Sequence, residues 1–176
     1  MADSWCHKRA TEENKSCRSR IYVIISFIQY LKKRGKTDIT TPAIPRKEPR
    51  TYIPHAFTEK ELQTFFYACD SIPGTVTPEQ RTRRITIPVF FRLLYSSGIR
   101  TTEARLLRVD DVDLDNGTLN IRYSKGHDQH FIVLHDTMLE LMKKYDKVIG
   151  EMHPGRTYFF PSRSDKYHTR KWVQTN

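Results

Sequence analysis

The sequence contains few cysteines and no long hydrophobic run. Its three cysteines, Cys6, Cys17 and Cys69, are odd in number and lack C-x-x-C spacing, which argues against a disulfide framework. Cys6-His7 with Cys17 is a poor zinc candidate, so we expect no metal, no cofactor and reduced thiols in a cytoplasmic protein. The longest apolar run, Ile21 to Ile28, is too short to span a membrane, and no secretion signal is visible.

Acidic residues are outnumbered by basic ones, 20 to 30, which gives a net charge of +10 at pH 7. Residues 1–56 carry 12 Lys/Arg against 5 Asp/Glu, whereas residues 57–176 carry 18 against 15. This balance suits a polyanionic partner and predicts salt-dependent binding. A basic protein with no nucleic-acid partner remains the alternative. The 176 residues suffice for one well-buried domain with a small second one.

The first part of the chain predicts a helix, a linker and a second helix. Apolar residues recur at helical spacing from about Thr11 to Arg34, with Gly35 as the stop. Four prolines between Thr37 and His55 predict an extended basic linker, which either follows a phosphate backbone or is solvated without contacts. A capping box at Thr58–Glu61 predicts a helix that ends near Cys69. Its predicted inward-facing residues are Leu62, Phe65, Phe66 and Ala68.

A tight corner is predicted where a long helix, interrupted by Pro88, ends at Gly98. Thr101 is the predicted cap of the next helix, and Glu103 lies in its first turn. Arg100 therefore lies on the corner, where Glu103 can turn back towards it. A guanidinium held in this way is a rigid donor fork for a phosphate or a carboxylate. The alternative is a structural ion pair that contributes little stability.

A β-hairpin is predicted after this corner. Asn116-Gly117 is a turn signal, and residues 118–123 and 129–134 read as strands with Lys125 at the tip. A helix from Asp136 and a short buried segment at 158–160 follow, and the chain after Ser162 is polar and basic. The predicted fold is α+β and mainly helical, with a small antiparallel β-sheet, preceded by a helix and a proline-rich linker.

The order and spacing of these motifs resemble the tyrosine recombinases, also called phage integrases. The resemblance rests on Ser97-Gly-Ile-Arg-Thr-Thr-Glu103, on Leu107-Arg-Val-Asp-Asp-Val112 and on the hairpin Lys125-Gly126. It covers roughly residues 57–134. It implies that Arg100 is the first active-site arginine, that Glu103 supports it, and that Lys125 is the lysine of the β-hairpin.

The resemblance also implies a domain organisation and an activity. Residues 1–35 would be the C-terminal helix of a SAM-like core-binding domain, residues 36–56 the linker, and residues 57–176 the first portion of the catalytic domain. The implied activity is site-specific recombination or integration of double-stranded DNA, through metal-independent cleavage and rejoining via a phosphotyrosyl link, with assembly as a tetramer on DNA. Arg100 would stabilise charge at phosphorus, and Lys125 would protonate the departing 5′ oxygen. The candidate DNA contacts are Lys15, Arg18, Arg46, Lys47 and Arg50.

The family also requires a His-x-x-Arg box, a further His or Trp and a nucleophilic tyrosine, and we place none of these in the residues after Lys125. His153-Pro-Gly-Arg156 fits the box only literally, and His168-Thr-Arg170 has the wrong spacing. Tyr145, Tyr158 and Tyr167 lie outside the family's nucleophile context. We therefore expect a catalytically incomplete, truncated recombinase. The alternatives are a non-catalytic DNA-binding module or relic of a mobile element, and a basic interaction protein unrelated to DNA. The target site and the direction of recombination are not predicted.

Overall fold

The structure is a computed structural model that describes residues 5–47, 49, 53–74, 77–122 and 129–175. These residues divide into two units, residues 1–56 and residues 57–176. No helix in the described ranges has the length and apolarity needed to cross a bilayer.

The first unit is built on helix α1, Asn14–Lys33, which confirms the predicted helix. The helix begins at Asn14 rather than about Thr11 and ends at Lys33 rather than Arg34. One face of α1 buries Cys17, Ile21, Ile25 and Ile28, as the helical spacing predicts. Gly35 follows this helix with a φ of 63°, the left-handed conformation expected at a helix end. The opposite face of α1 exposes Tyr22, Val23, Phe27 and Tyr30.

Three helices open the second unit: α2 Glu59–Asp70, α3 Pro78–Ser97 and α4 Thr101–Leu106. The predicted capping box at Thr58 and Glu61 is confirmed, and Thr77 with Gln80 forms a second one before α3. The prediction that Phe65 and Ala68 face inward is wrong, because both are exposed. Phe65 instead packs edge to face against Phe91 of α3 with 42% of its surface in solvent. Helix α2 therefore lies on the outside of the unit and buries only Cys69 fully.

A small antiparallel sheet follows, as predicted. A 3-10 turn at Val109–Asp111 leads into β1 Val112–Asp113, β2 Thr118–Ile121 and β3 His130–Val133. The strand order is β1-β2-β3, with Leu119 opposite Val112 on one side and Ile132 on the other. Gly117 takes a φ of 65° in the predicted turn before β2. Helix α5 runs over Asp136–Met152 and helix α6 over Arg170–Thr175.

The core of the second unit lies between α3, α5 and the sheet. Its fully buried side chains come from all three, together with the aromatic segment that follows α5: Phe90, Leu93, Leu119, Met142, Ile149, Phe159 and Phe160. This arrangement confirms the predicted buried segment at 158–160 for Phe159 and Phe160, while Tyr158 is half-buried. The mainly helical α+β fold with a three-stranded antiparallel sheet is therefore confirmed.

The residues after α5 are tied to the segment that follows α4. The Val109 N–H donates to the Thr157 carbonyl at 3.1 Å, and the Phe159 N–H donates to the Leu107 carbonyl at 2.9 Å. These bonds place Arg108 opposite Tyr158 in an isolated antiparallel bridge. Further on, Trp172 of α6 packs edge to face on Phe90, with ring centroids 5.4 Å apart. The polar end of the chain is thus folded onto the core, which its composition does not suggest.

Candidate active-site corner

The corner between α3 and α4 is formed by Gly98 and Arg100. Gly98 ends α3 with a φ of 65°, and its N–H donates to the Leu94 carbonyl at 3.1 Å, which confirms the predicted left-handed stop. The predicted cap at Thr101 is wrong: Arg100 is the residue that precedes α4, and Thr101 is its first helical residue. The capping interaction comes instead from Glu103, whose carboxylate reaches back to the main chain of Arg100.

Glu103 holds Arg100 through both its backbone and its side chain. The Arg100 N–H donates to Oε2 of Glu103 at 2.9 Å, and Nη1 of Arg100 donates to Oε1 at 2.7 Å. The Glu103 side chain is only 3% exposed, whereas the Arg100 side chain is 59% exposed. A buried carboxylate therefore orients a guanidinium whose outer part faces solvent. Because the same carboxylate fixes the main chain, the guanidinium has few alternative positions relative to α4.

The end of β2 lies beside this corner. Glu103 and Leu107 line a small gap together with Asn120 and Arg122, the residue immediately after β2. Arg122 is itself ion-paired with the buried carboxylate of Asp111. The predicted hairpin lysine, Lys125, lies outside the described residues. It follows Arg122 by three positions in the sequence. The described residues thus bring the end of β2 next to Glu103, and the placement of Lys125 stays a prediction.

Arg105, on the next turn of α4, is buried and was not singled out from the sequence. It is 8% exposed, and its Nε donates to the His168 carbonyl at 2.7 Å. Burial and, to a smaller degree, the neighbouring Arg105 charge lower the pKa of His168 to about 4, so its ring is neutral at pH 7. That ring stacks on Trp172, with centroids 3.8 Å apart. A six-residue helix shows too little periodicity for the sequence to reveal that Arg105 points inward.

The literal His-x-x-Arg match has structural contacts of its own. Nε2 of His153 lies 2.9 Å from Oγ1 of Thr82. The Arg156 side chain is 6% exposed and ion-paired with Asp146. The buried Arg156 thus links the turn after α5 to Asp146 of that helix.

The three tyrosines considered as nucleophiles differ in environment. Tyr145 is 2% exposed, and its hydroxyl lies 3.2 Å from Oγ1 of Thr86. Burial raises the pKa of Tyr145 above its ordinary value, which disfavours the phenolate. Tyr158 and Tyr167 pack edge to face with centroids 5.8 Å apart, and the guanidinium of Arg105 lies 5.9 Å from the centroid of the Tyr167 ring.

The basic residues predicted to contact DNA lie in the first unit. Lys15, Arg46 and Lys47 are exposed, so they are available to a polyanion. Arg18 is half-buried and bound to the Pro45 carbonyl, with Nη2 also 3.3 Å from the Tyr22 hydroxyl. Arg50 lies outside the described residues. Within the described part of the chain, no cluster of three or more His, Cys, Asp or Glu side chains is arranged to hold a metal ion.

Comparison with known proteins identifies the family of this chain. The model of the phage integrase family matches residues 55–176. The integrase/recombinase y4rE of Sinorhizobium fredii is 28% identical over 151 residues, which cover 82% of this chain and 46% of that protein. The tyrosine recombinase XerA of Thermococcus kodakarensis is 30% identical over 130 residues, which cover 74% of this chain and 42% of that protein.

A solved structure shows the same fold. The XerH site-specific recombinase, bound to its palindromic difH substrate in a post-cleavage complex, superposes with a TM-score of 0.69 at 18% identity. The match covers 98% of this chain and 49% of the XerH chain. The chain spans less than half the length of each of these proteins. Because the family model matches well over half of the sequence, the chain belongs to the phage integrase family of tyrosine recombinases.

Proposed function

We propose that this chain contributes Arg100, Glu103 and Lys125 to a site that cleaves and rejoins double-stranded DNA in site-specific recombination. The observation that carries the proposal is the corner itself, where a buried carboxylate orients an arginine whose outer face is open to solvent. Family membership supports the proposal, because the family model matches residues 55–176 and a solved recombinase structure shares the fold.

The corner suits the chemistry of phosphoryl transfer. A pentacoordinate phosphorus centre develops negative charge on its non-bridging oxygens, and preorganised donors stabilise that charge. The guanidinium of Arg100 is a forked donor that can bind two such oxygens at once. Lys125, close along the chain to Arg122, would protonate the departing 5′ oxygen as a general acid. Glu103 is a positioning residue, because it acts through Arg100.

We also propose roles for the remaining segments. Residues 1–35 would end a core-binding domain, residues 36–56 would form the linker, and residues 57–176 would form the first portion of the catalytic domain. The exposed residues Lys15, Arg46 and Lys47, with Arg18 and Arg50, would contact backbone phosphates. Assembly on DNA would be tetrameric, with the second arginine and the nucleophile not assigned to any residue of this chain.

Binding to a mixed-sequence duplex, measured by fluorescence anisotropy at several salt concentrations, tests the proposal. We expect Arg100→Ala to weaken binding and to reduce the slope of log affinity against log salt by about 0.9, the loss of one phosphate contact. Arg92→Ala is the matched control, because Arg92 is also paired with a carboxylate, at 2.7 Å from Asp70, but lies on α3 away from the corner. Equal slopes for the two variants would refute a phosphate contact by Arg100.

A second candidate function is a non-catalytic DNA-binding module. It is favoured by the burial of Tyr145 and by the packing of the Tyr158 and Tyr167 rings against each other. We expect this polypeptide to form no phosphotyrosyl adduct with a nicked duplex that traps such intermediates. A DNA-linked band on a denaturing gel would contradict this expectation, and Tyr→Phe variants would then locate the nucleophile.

A further inference from the structure

A groove beside α4 is lined by three arginines. Arg100 and Arg105 come from the corner and from α4, and Arg170 comes from α6, around a space of about 670 Å³. The other residues that line it are apolar or neutral polar, including Thr102 and Gln174, and none carries a carboxylate. Arg100 is paired with Glu103 outside the lining, so the charges of Arg105 and Arg170 are the ones that no lining carboxylate balances.

Arg105 is a buried arginine that no carboxylate of the described residues neutralises. Its side chain is nine-tenths buried, and its Nε binds a neutral carbonyl, that of His168. Among the described residues, no carboxylate is paired with Arg105 or with Arg170. His168 contributes no negative charge, since its ring is a neutral base. A buried guanidinium without a counter-ion is unfavourable, so an anion that enters the groove would be stabilised by it.

We propose that this groove binds a second backbone phosphate of the DNA, adjacent to the phosphate held by Arg100, with Arg105 and Arg170 as the donors. This inference rests on the proposed function, because DNA is the ligand in both. The groove is continuous with Arg100, and phosphates follow one another along a strand every 3.4 Å or so of helix rise, so neighbouring anion sites fit a single strand. Terminal guanidinium nitrogens supply the forked donors that phosphate oxygens accept.

The groove can be tested first with inorganic phosphate alone. The thermal midpoint of the chain is measured in phosphate and in chloride at equal ionic strength. We expect phosphate to raise the midpoint by about 3 °C, because the anion binds the folded groove and not the unfolded chain. The double variant Arg105→Met/Arg170→Gln should lose this increase, and Arg92→Gln should keep it. Arg170→Gln alone, at an exposed position, keeps the test valid if replacement of Arg105 prevents folding.

The source of the phosphate is tested with DNA. We expect the double variant to reduce the salt slope of duplex binding by about 0.9, with each single variant giving a part of that loss. Arg92→Gln should retain the wild-type slope. A phosphate-induced midpoint increase combined with an unchanged slope would overturn the proposal, since the groove would then bind a free anion and not DNA. If the double variant keeps both the phosphate-induced increase in the thermal midpoint and the wild-type salt slope, the proposal is also overturned. A protein carboxylate would then be favoured as the occupant.

The two proposals fail in different ways. If Arg100→Ala weakens DNA binding and the double variant does not, the groove proposal falls and the function of Arg100 stands. If the double variant loses slope and Arg100→Ala does not, the assignment of Arg100 falls and the groove stands. A wild-type chain that binds no duplex would overturn both.

Discussion

Replacing Glu103 by glutamine removes one acceptor from the corner with little change in shape. Both carboxylate oxygens accept hydrogen bonds from Arg100, one from its N–H at 2.9 Å and one from Nη1 at 2.7 Å. Glutamine has a single acceptor oxygen, and its amide N–H₂ would face whichever donor remains. A hydrogen bond that involves charged groups contributes about 1.5–3 kcal/mol, so we expect Glu103→Gln to lower the free energy of unfolding by about 2 kcal/mol. The same change should weaken DNA binding, because Arg100 is no longer held.

Urea denaturation followed by Trp172 fluorescence measures this loss in the second unit. The other tryptophan, Trp5, is replaced by Phe in all variants. With an m-value near 2 kcal/mol/M, the urea midpoint should fall by about 1 M. Glu140→Gln is the control, since Glu140 is 62% exposed and pairs with Lys143 three residues away at 3.4 Å. That exposed pair should contribute no more than about 0.5 kcal/mol. Equal midpoints for the two variants would refute the reasoning that burial makes the Glu103 pair strong.

Three further results are expected. Gly98→Ala should destabilise the second unit by about 1 kcal/mol, because Gly98 has a φ of 65°, and Gly98→Asn should destabilise it by less. Urea midpoints measure both losses, and equal losses for the two variants would contradict a conformational origin. The folded pKa of His168, about 4, is below its unfolded value of 6.5, so its contribution to stability is complete above pH 6.5 and is lost as the pH falls towards 4. After allowance for solvent screening the loss of stability is about 2 kcal/mol. His168→Gln should therefore flatten the profile of unfolding free energy against pH. An unchanged profile would show that His168 does not cause the pH dependence. Tyr145→Phe should lower the unfolding free energy by about 1 kcal/mol, because the hydrogen bond with Thr86 is lost. The salt slope of DNA binding should stay unchanged, and a changed slope would indicate that Tyr145 has a functional role.

The sequence predicted the parts of the fold that depend on residues close together in the chain. The stripe of α1, the left-handed stop at Gly98 and the turn at Gly117 follow from periodicity and from glycine conformation. The error at Phe65 arose because an apolar face does not say how much of it a neighbouring helix can cover. Burial of Arg105 depends on a residue far along the chain, and no local pattern encodes such a contact.

The hydrogen bonds from the late segment to the region after α4 have a consequence for the order of folding. The bond from Arg105 to the His168 carbonyl joins residues 63 positions apart, and the Leu107–Phe159 bond joins two segments that leave the ribosome at well-separated times. Contacts between residues so distant in sequence form slowly, because the intervening chain must first be closed into a loop. During synthesis, the local contacts of the corner at Gly98, Arg100 and Glu103 can therefore form before residues 157–168 are made, whereas Arg105 and Leu107 gain their partners only afterwards.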